Sequence, residues 1–420
     1  MRKITLNVLC AFILVCVARR AESAQTTPGT VYVHVQDKRK IAISDAEVVI
    51  TDVKKGSSYH ERTDNNGNCR FDVPAGKYKV KVTAGRLSTF LDVEVGHEQV
   101  PLLVAALEQA PLQSTGGYID SAIISSQIRI RFDAGFHVDR PDRAEFFYAQ
   151  YAGLNGPGPP FVVADLNFQQ LYLQAEYAPR KRLSFFTEVP VRWIQPQLTV
   201  AAKNPSFSPP FPQNVNVAGL SDVAAGFKVA AVASSDQYLT FQFQAYFPSG
   251  DASKGLGTNH YSVEPALLYY RRLSDRLALE AQVGDSHPIG GSSCPQPCIA
   301  DPSPPGAPAS GGFAGDVFFY GVGPSYVLYR GENVRIAPVV ELVGWRVLGG
   351  LETMCVPNVP CSSPDGQEGV SADGTNIVNL KVGARTSIGR HNSFYVGFGH
   401  AVTRSHWYEE IVRAEYRYSF

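Results

Sequence analysis

Residues 127–136 read Gln127-Ile128-Arg129-Ile130-Arg131-Phe132-Asp133-Ala134-Gly135-Phe136. Ile128, Ile130, Phe132, Ala134 and Phe136 fall on one parity, and Gln127, Arg129, Arg131 and Asp133 on the other. A period of two sends alternate side chains to opposite faces of an extended strand. One face of this strand is apolar and the other ionic. The same alternation recurs at 171–177, 183–193, 223–231, 239–247, 261–269, 277–283, 318–328, 334–342, 378–388, 394–398 and 412–420, twelve segments in all.

The connections carry a second regularity. Pro179-Arg180-Lys181-Arg182, Ser234-Ser235-Asp236, Arg271-Arg272-Leu273-Ser274-Asp275, Arg330-Gly331-Glu332-Asn333 and Gly389-Arg390-His391-Asn392 are tight. Most of the others are long, near 139–165, 195–218, 285–315 and 349–374. Alternating segments of about ten residues, joined in turn by short periplasmic turns and long outer loops, are the pattern of a transmembrane barrel. The expected fold is all-β: an N-terminal β-sandwich followed by a 12-stranded antiparallel transmembrane β-barrel over 126–420. A soluble two-layer sandwich also alternates, but here Tyr, Phe and Leu sit on the outward face and Arg, Glu and Gln on the inward one.

Composition agrees. The 420 residues include 38 Lys+Arg and 38 Asp+Glu, 20 Tyr and 23 Phe, and 18% are charged; an ordinary soluble domain has about 25%. Balanced charge argues against a nucleic-acid partner. The longest apolar run, 8–18, is too short for a spanning helix, which needs about 20 residues.

Arg2 and Lys3, the apolar 6–18 and small residues at 21–24 read as a signal peptide over 1–24. Cys10 and Cys16 depart with it. Cys294 and Cys298, and Cys355 and Cys361, sit in long, Pro-rich loops. In an oxidising compartment this spacing favours disulfides over zinc, with pairing inside or across the loops left open. Cys69 reads as a buried small hydrophobe.

Residues 30–104 show shorter runs. Val31, Val33 and Val35 alternate with polar neighbours, and Asp64-Asn65-Asn66-Gly67-Asn68 is a turn rather than a calcium loop, lacking a downstream bidentate Glu. Ile43-Ser44-Asp45-Ala46-Glu47-Val48, Thr63-Asp64-Asn65-Asn66-Gly67-Asn68-Cys69-Arg70-Phe71 and Pro74-Ala75-Gly76-Lys77-Tyr78-Lys79-Val80 resemble the carboxypeptidase regulatory-like domain. That resemblance implies a transthyretin-like β-sandwich with no catalysis, a spacer or docking module; the even strand count of the barrel puts it in the periplasm, where a periplasmic protein is the expected partner. Residues 105–125 read as a linker.

Gly219-Leu220-Ser221-Asp222, Tyr246-Phe247-Pro248-Ser249-Gly250-Asp251, Gly255-Leu256-Gly257 and Tyr269-Tyr270-Arg271-Arg272-Leu273-Ser274-Asp275 resemble the outer-membrane transporters associated with phenol meta-cleavage pathways. The resemblance implies passive passage of hydrophobic or aromatic solutes. Ser221 and Ser249 depart from the usual Gly and Thr. The closing Tyr416, Tyr418 and Phe420 look like the C-terminal signal read by the barrel-assembly machinery.

The inward residues define the candidate lumen. Arg129, Arg131, Arg192, Lys228, Arg335, Lys381, Arg385, Arg413 and Arg417 oppose Asp133, Glu176, Glu188, Glu264, Glu280, Glu341 and Glu415. This near-balance predicts mixed-sign ladders rather than a selective field. Twelve strands lie between side-chain-filled small barrels and open porins, which suits a narrow pore or one obstructed by loops or by 108–125. A non-conducting anchor or binding protein is the alternative. Asp285-Ser286-His287 and His391-Asn392-Ser393 contain hydrolase residue types without an oxyanion-hole context, and no cofactor or metal is expected.

Overall fold

The computed structural model describes residues 29–36, 41–84, 87–96, 103–106, 113–199, 215–293, 312–331, 333–356, 359 and 366–420. The expected signal peptide and Cys294, Cys298 and Cys361 lie outside them. The chain divides into two units, Met1–Gln109 and Ala110–Phe420.

The first unit holds β1 (Gly29–Gln36), β2 (Glu47–Asp52), β3 (Ser58–Arg62), β4 (Asn68–Val73), β5 (Gly76–Ala84), β6 (Leu87–Val95) and β7 (Leu103–Ala106). They form two sheets, β4-β1-β7 and β3-β2-β5-β6. Alternation turns Val31, Val33, Val48, Ile50, Phe71, Val80 and Val82 into one core. Cys69 belongs to that core as a free thiol. In the turn, Asp64 Oδ1 accepts the N–H groups of Asn66 (2.9 Å) and Asn68 (2.8 Å), so its carboxylate closes the loop itself. Gly67 has φ +74°, and a Cβ there would lie 2.5 Å from Val35 O.

The second unit is a closed antiparallel barrel of β8 (Gln127–Val138), β9 (Val163–Arg180), β10 (Leu183–Thr199), β12 (Val223–Ala233), β13 (Gln237–Phe247), β14 (Tyr261–Arg272), β15 (Leu277–Ile289), β16 (Val317–Tyr326), β18 (Val334–Val347), β21 (Asn376–Ile388), β22 (Asn392–Ala401) and β23 (Glu410–Ser419). Short β11 (Val217–Leu220) and β17 (Tyr329–Arg330) extend β12 and β16, and β19 (Leu351–Cys355) and β20 (Gln367–Ser371) make a hairpin in a long loop. The seam closes where β23 pairs β8, with Arg413 opposite Asp133, Glu415 opposite Arg131 and Arg417 opposite Arg129. A one-residue slip would turn every charged side chain outward.

The outer face is apolar: Ile130, Leu173, Phe185, Phe241, Leu267, Val340, Val382, Val396 and Phe398 are all exposed. A continuous belt of this kind far exceeds the apolar patches that water-soluble monomers show. Near the short turns the belt becomes aromatic, with Phe394 against Tyr416 (4.9 Å) and Tyr418 against Phe420 (6.4 Å). Interfacial girdles of this sort border the hydrocarbon band of membrane barrels.

Candidate functional site: a plugged lumen and a chamber

Residues 113–126 occupy the lumen. Gln113 Nε2 donates to Arg390 O (3.1 Å) in the β21–β22 turn. At the other end Phe420 N donates to Ser126 O (3.1 Å). The segment thus enters at the short-turn end, runs inward as far as Tyr118 and Ile119, and returns to start β8.

Barrel carboxylates hold its backbone amides. Glu280 on β15 accepts from the N–H groups of Thr115 (2.8 Å) and Gly116 (2.9 Å) and from Ser114 Oγ (2.6 Å). Glu341 on β18 accepts from Gly117, Tyr118 and Ile119, the last at 2.9 Å. Barrel cations hold the carbonyls: Arg385 Nη2 donates to Gly116 O (2.8 Å), Arg413 Nη1 to Gly117 O (2.6 Å) and Lys228 Nζ to Ser121 O (3.3 Å). An irregular buried segment must satisfy its peptide groups somewhere, and here the lumen side chains replace water. A Cβ on Gly117 would lie 1.9 Å from the Tyr395 ring, so glycine lets the segment pack directly against that ring.

Several of the remaining inward charges pair along the wall. Glu415 meets Arg417 (2.5 Å), Arg385 (2.8 Å) and Arg129 (3.7 Å). Glu188 meets Arg129 (3.3 Å) and Arg131 (3.5 Å), and Glu176 meets Lys228 (3.3 Å). Arg335 is half-buried. Glu264 accepts from the Tyr246 hydroxyl (3.0 Å).

Beyond Tyr118 a chamber of about 290 Å³ opens, lined by Tyr118, Arg131, Glu188, Arg192, Glu264, Trp345, Lys381, Trp407 and Tyr408 among others. Its far wall is the first long loop. Phe146 stacks on Trp407 (4.9 Å) and Phe147 packs on Phe168 (4.9 Å). Arg143 bonds Glu352 (2.6 Å) and His406 O (2.8 Å). Arg192 clasps the loop through Phe147 O (2.8 Å) and holds Gln170 (2.9 Å). Asp142 is buried in this loop, its carboxyl pushed up to about 6 by desolvation, against which Thr353 donates from its hydroxyl and N–H. Nothing local marks this loop as folded inward, because its partners lie far along the chain.

The hydrolase-like clusters do not assemble among the described residues. Ser286 lines the chamber, whereas His287 is exposed and pairs with Asp316 (2.7 Å). His391 Nδ1 meets Ser419 O (2.6 Å), and Ser393 accepts from Arg385 (3.2 Å).

The rim motifs converge. Asp222 accepts from Gly250 N (3.0 Å) and Thr258 N (2.8 Å), and Ser249 Oγ donates to Ser221 O (2.9 Å). Residues 166–284, which contain all of them, match the family model described as putative MetA-pathway of phenol degradation. Residues 30–108 match the carboxypeptidase regulatory-like domain. A comparison with curated proteins gives no match. Among solved structures, an outer membrane channel from Pseudomonas putida F1 aligns at 12% identity over 73% of this chain and 100% of its own, with a TM-score of 0.42. The beta domain of the Bordetella autotransporter BrkA aligns at 12% over 70% and 100% (TM-score 0.39), and the KdgM porin at 10% over 70% and 99% (TM-score 0.31).

Proposed function

We propose that this chain is an outer-membrane channel for passive passage of small hydrophobic or aromatic solutes, shut in this conformation by residues 113–125. One observation carries the reading: the lumen is not packed solid but holds a chamber between a hydrogen-bonded plug and a folded loop. A barrel serving only as an anchor has no use for such a compartment. Polar attachment also suits release, since peptide groups freed from Glu280 and Glu341 regain hydrogen bonds in a wetted pore.

Entry of the segment at the short-turn end supports a periplasmic position for the N-terminal sandwich, where a periplasmic protein would dock. Tyr416, Tyr418 and Phe420 would present the barrel to the assembly machinery, and the loop cysteines would close outer loops as disulfides.

Single-channel recording in planar bilayers tests the reading, comparing the full chain with its Glu280→Gln/Glu341→Gln variant. We expect brief low-conductance events for the first and longer openings for the second. Silence from both folded proteins would favour the anchoring alternative.

A further inference from the structure

We propose that the chamber is a binding site for a small aromatic acid, with the acid's carboxylate on Lys381 and its ring against the aromatic wall. This rests on the channel reading, since the chamber would then lie on the solute's path.

Lys381 is 3% exposed. Its register partner on β18 is Glu341, but that carboxylate is already bound by three plug amides. Among the described residues no carboxylate lies within 4.0 Å of Nζ. The ammonium donates to the Tyr408 hydroxyl (2.8 Å) and faces the rings of Tyr118 (4.0 Å) and Trp345 (5.3 Å). Aromatic faces attract a cation but do not replace a counter-ion in a buried site. Of the other chamber charges, Arg413 has Asp133, Arg131 has Glu188 and Glu264 has the Tyr246 hydroxyl, while Arg192, also without a carboxylate among the described residues, donates to Gln170, Phe147 O and Gly255 O.

Trp407 supplies an independent sign. It is 4% exposed and lines the chamber, and among the described residues its Nε1–H has no acceptor. Buried donors are rarely left so, and an indole nitrogen only donates. An unmatched cation and an unmatched donor in one aromatic compartment ask for an acceptor carrying negative charge. The volume, about 290 Å³, sits at the small end of ligand pockets, which run from about 300 to 1,000 Å³, and suits a single ring.

The test is a fluorescence titration of the full-length folded protein with sodium benzoate, since Trp345 and Trp407 both line the chamber. Benzyl alcohol keeps the ring without the charge, and acetate the charge without the ring. Benzoate should bind at least about tenfold more tightly than either. Lys381→Met should abolish that preference and Lys381→Arg retain it, while Trp407→Phe, which keeps the stack on Phe146, should weaken benzoate by about fivefold. Heat-modifiable mobility confirms folding, and Trp407→Phe carries the test if Lys381→Met does not fold. Equal binding of benzoate and benzyl alcohol overturns the inference, as does an unchanged preference in folded Lys381→Met. A protein that conducts but does not bind benzoate overturns this inference alone. One that binds benzoate without conducting leaves the site standing and overturns the channel reading.

Discussion

Arg413 grips Asp133 across the closing seam with two parallel bonds, Nε to Oδ1 and Nη2 to Oδ2, both 2.7 Å, while its third nitrogen reaches Gly117 O at 2.6 Å. One side chain therefore joins wall closure to plug retention. Removing one member of a buried ion pair leaves the other uncompensated, at a cost of about 3–5 kcal/mol. Arg413→Gln should lower barrel stability on that scale in urea unfolding and should also lengthen channel openings. An effect on stability without any effect on opening would separate the two roles.

Gly117 offers a cleaner lever on the plug. Gly117→Ala drives a methyl into the Tyr395 ring without touching any charge. We expect longer openings and faster proteolysis of 113–126. Tyr395→Ala in the same chain should restore the closed level by vacating the space. If Gly117→Ala behaves as wild type, the plug is not held in this position.

Loop docking should depend on pH. Burial raises the Asp142 carboxyl from 3.8 to about 6, with nearby Glu352 adding to the shift; Glu352 itself is held by Arg140 and Arg143. The docked loop thus binds the Asp142 proton more tightly than a free loop does. Docking is favoured in full below the ordinary carboxyl value, and that advantage is lost as pH rises through about 6. Open probability should be lower at about pH 5 than at about pH 7. Asp142→Asn should flatten the difference; a steeper dependence in that variant would assign it to another group.

The apolar belt is tested by charge. Val396, 63% exposed at the middle of β22, should lose about 2–4 kcal/mol of folding stability in vesicles when changed to Arg. Val53, 57% exposed in the N-terminal sandwich, should tolerate the same change within about 0.5 kcal/mol. Equal tolerance at both positions would contradict a lipid-facing wall.

Cys69 should resist alkylation. It is buried in the sandwich, and desolvation together with Glu61 and Asp64 pushes its thiol up to about 12. A maleimide should label it only when the sandwich unfolds, with labelling rising at the same urea concentration as the loss of sandwich structure. Rapid labelling of the native chain would show that the β4 face opens on its own.

The strands were legible because their signal is local. Ile128, Arg129 and Ile130 declare opposite faces within three residues, and the short turns declare the reversals. The parity of Arg129, Glu188, Glu280, Glu341 and Arg413 is likewise readable, and all five are buried. What each one does is not. Gly116 meets Glu280 across 164 positions of sequence and Ile119 meets Glu341 across 222. Gly116-Gly117 was the faint local trace, two glycines where a plain linker needs none.

The alternation, the strand number and the succession of turns and loops were readable along the chain, since they follow from a period of two and its interruptions. Long-range packing alone set residues 113–126 inside the lumen with a chamber beyond them, chose which carboxylates bind peptide amides rather than arginines, and left Lys381 facing aromatic rings. The reason is the barrel's closure. It brings side chains from strands distant in sequence around one axis, and competition for partners there depends on distances that no local pattern encodes.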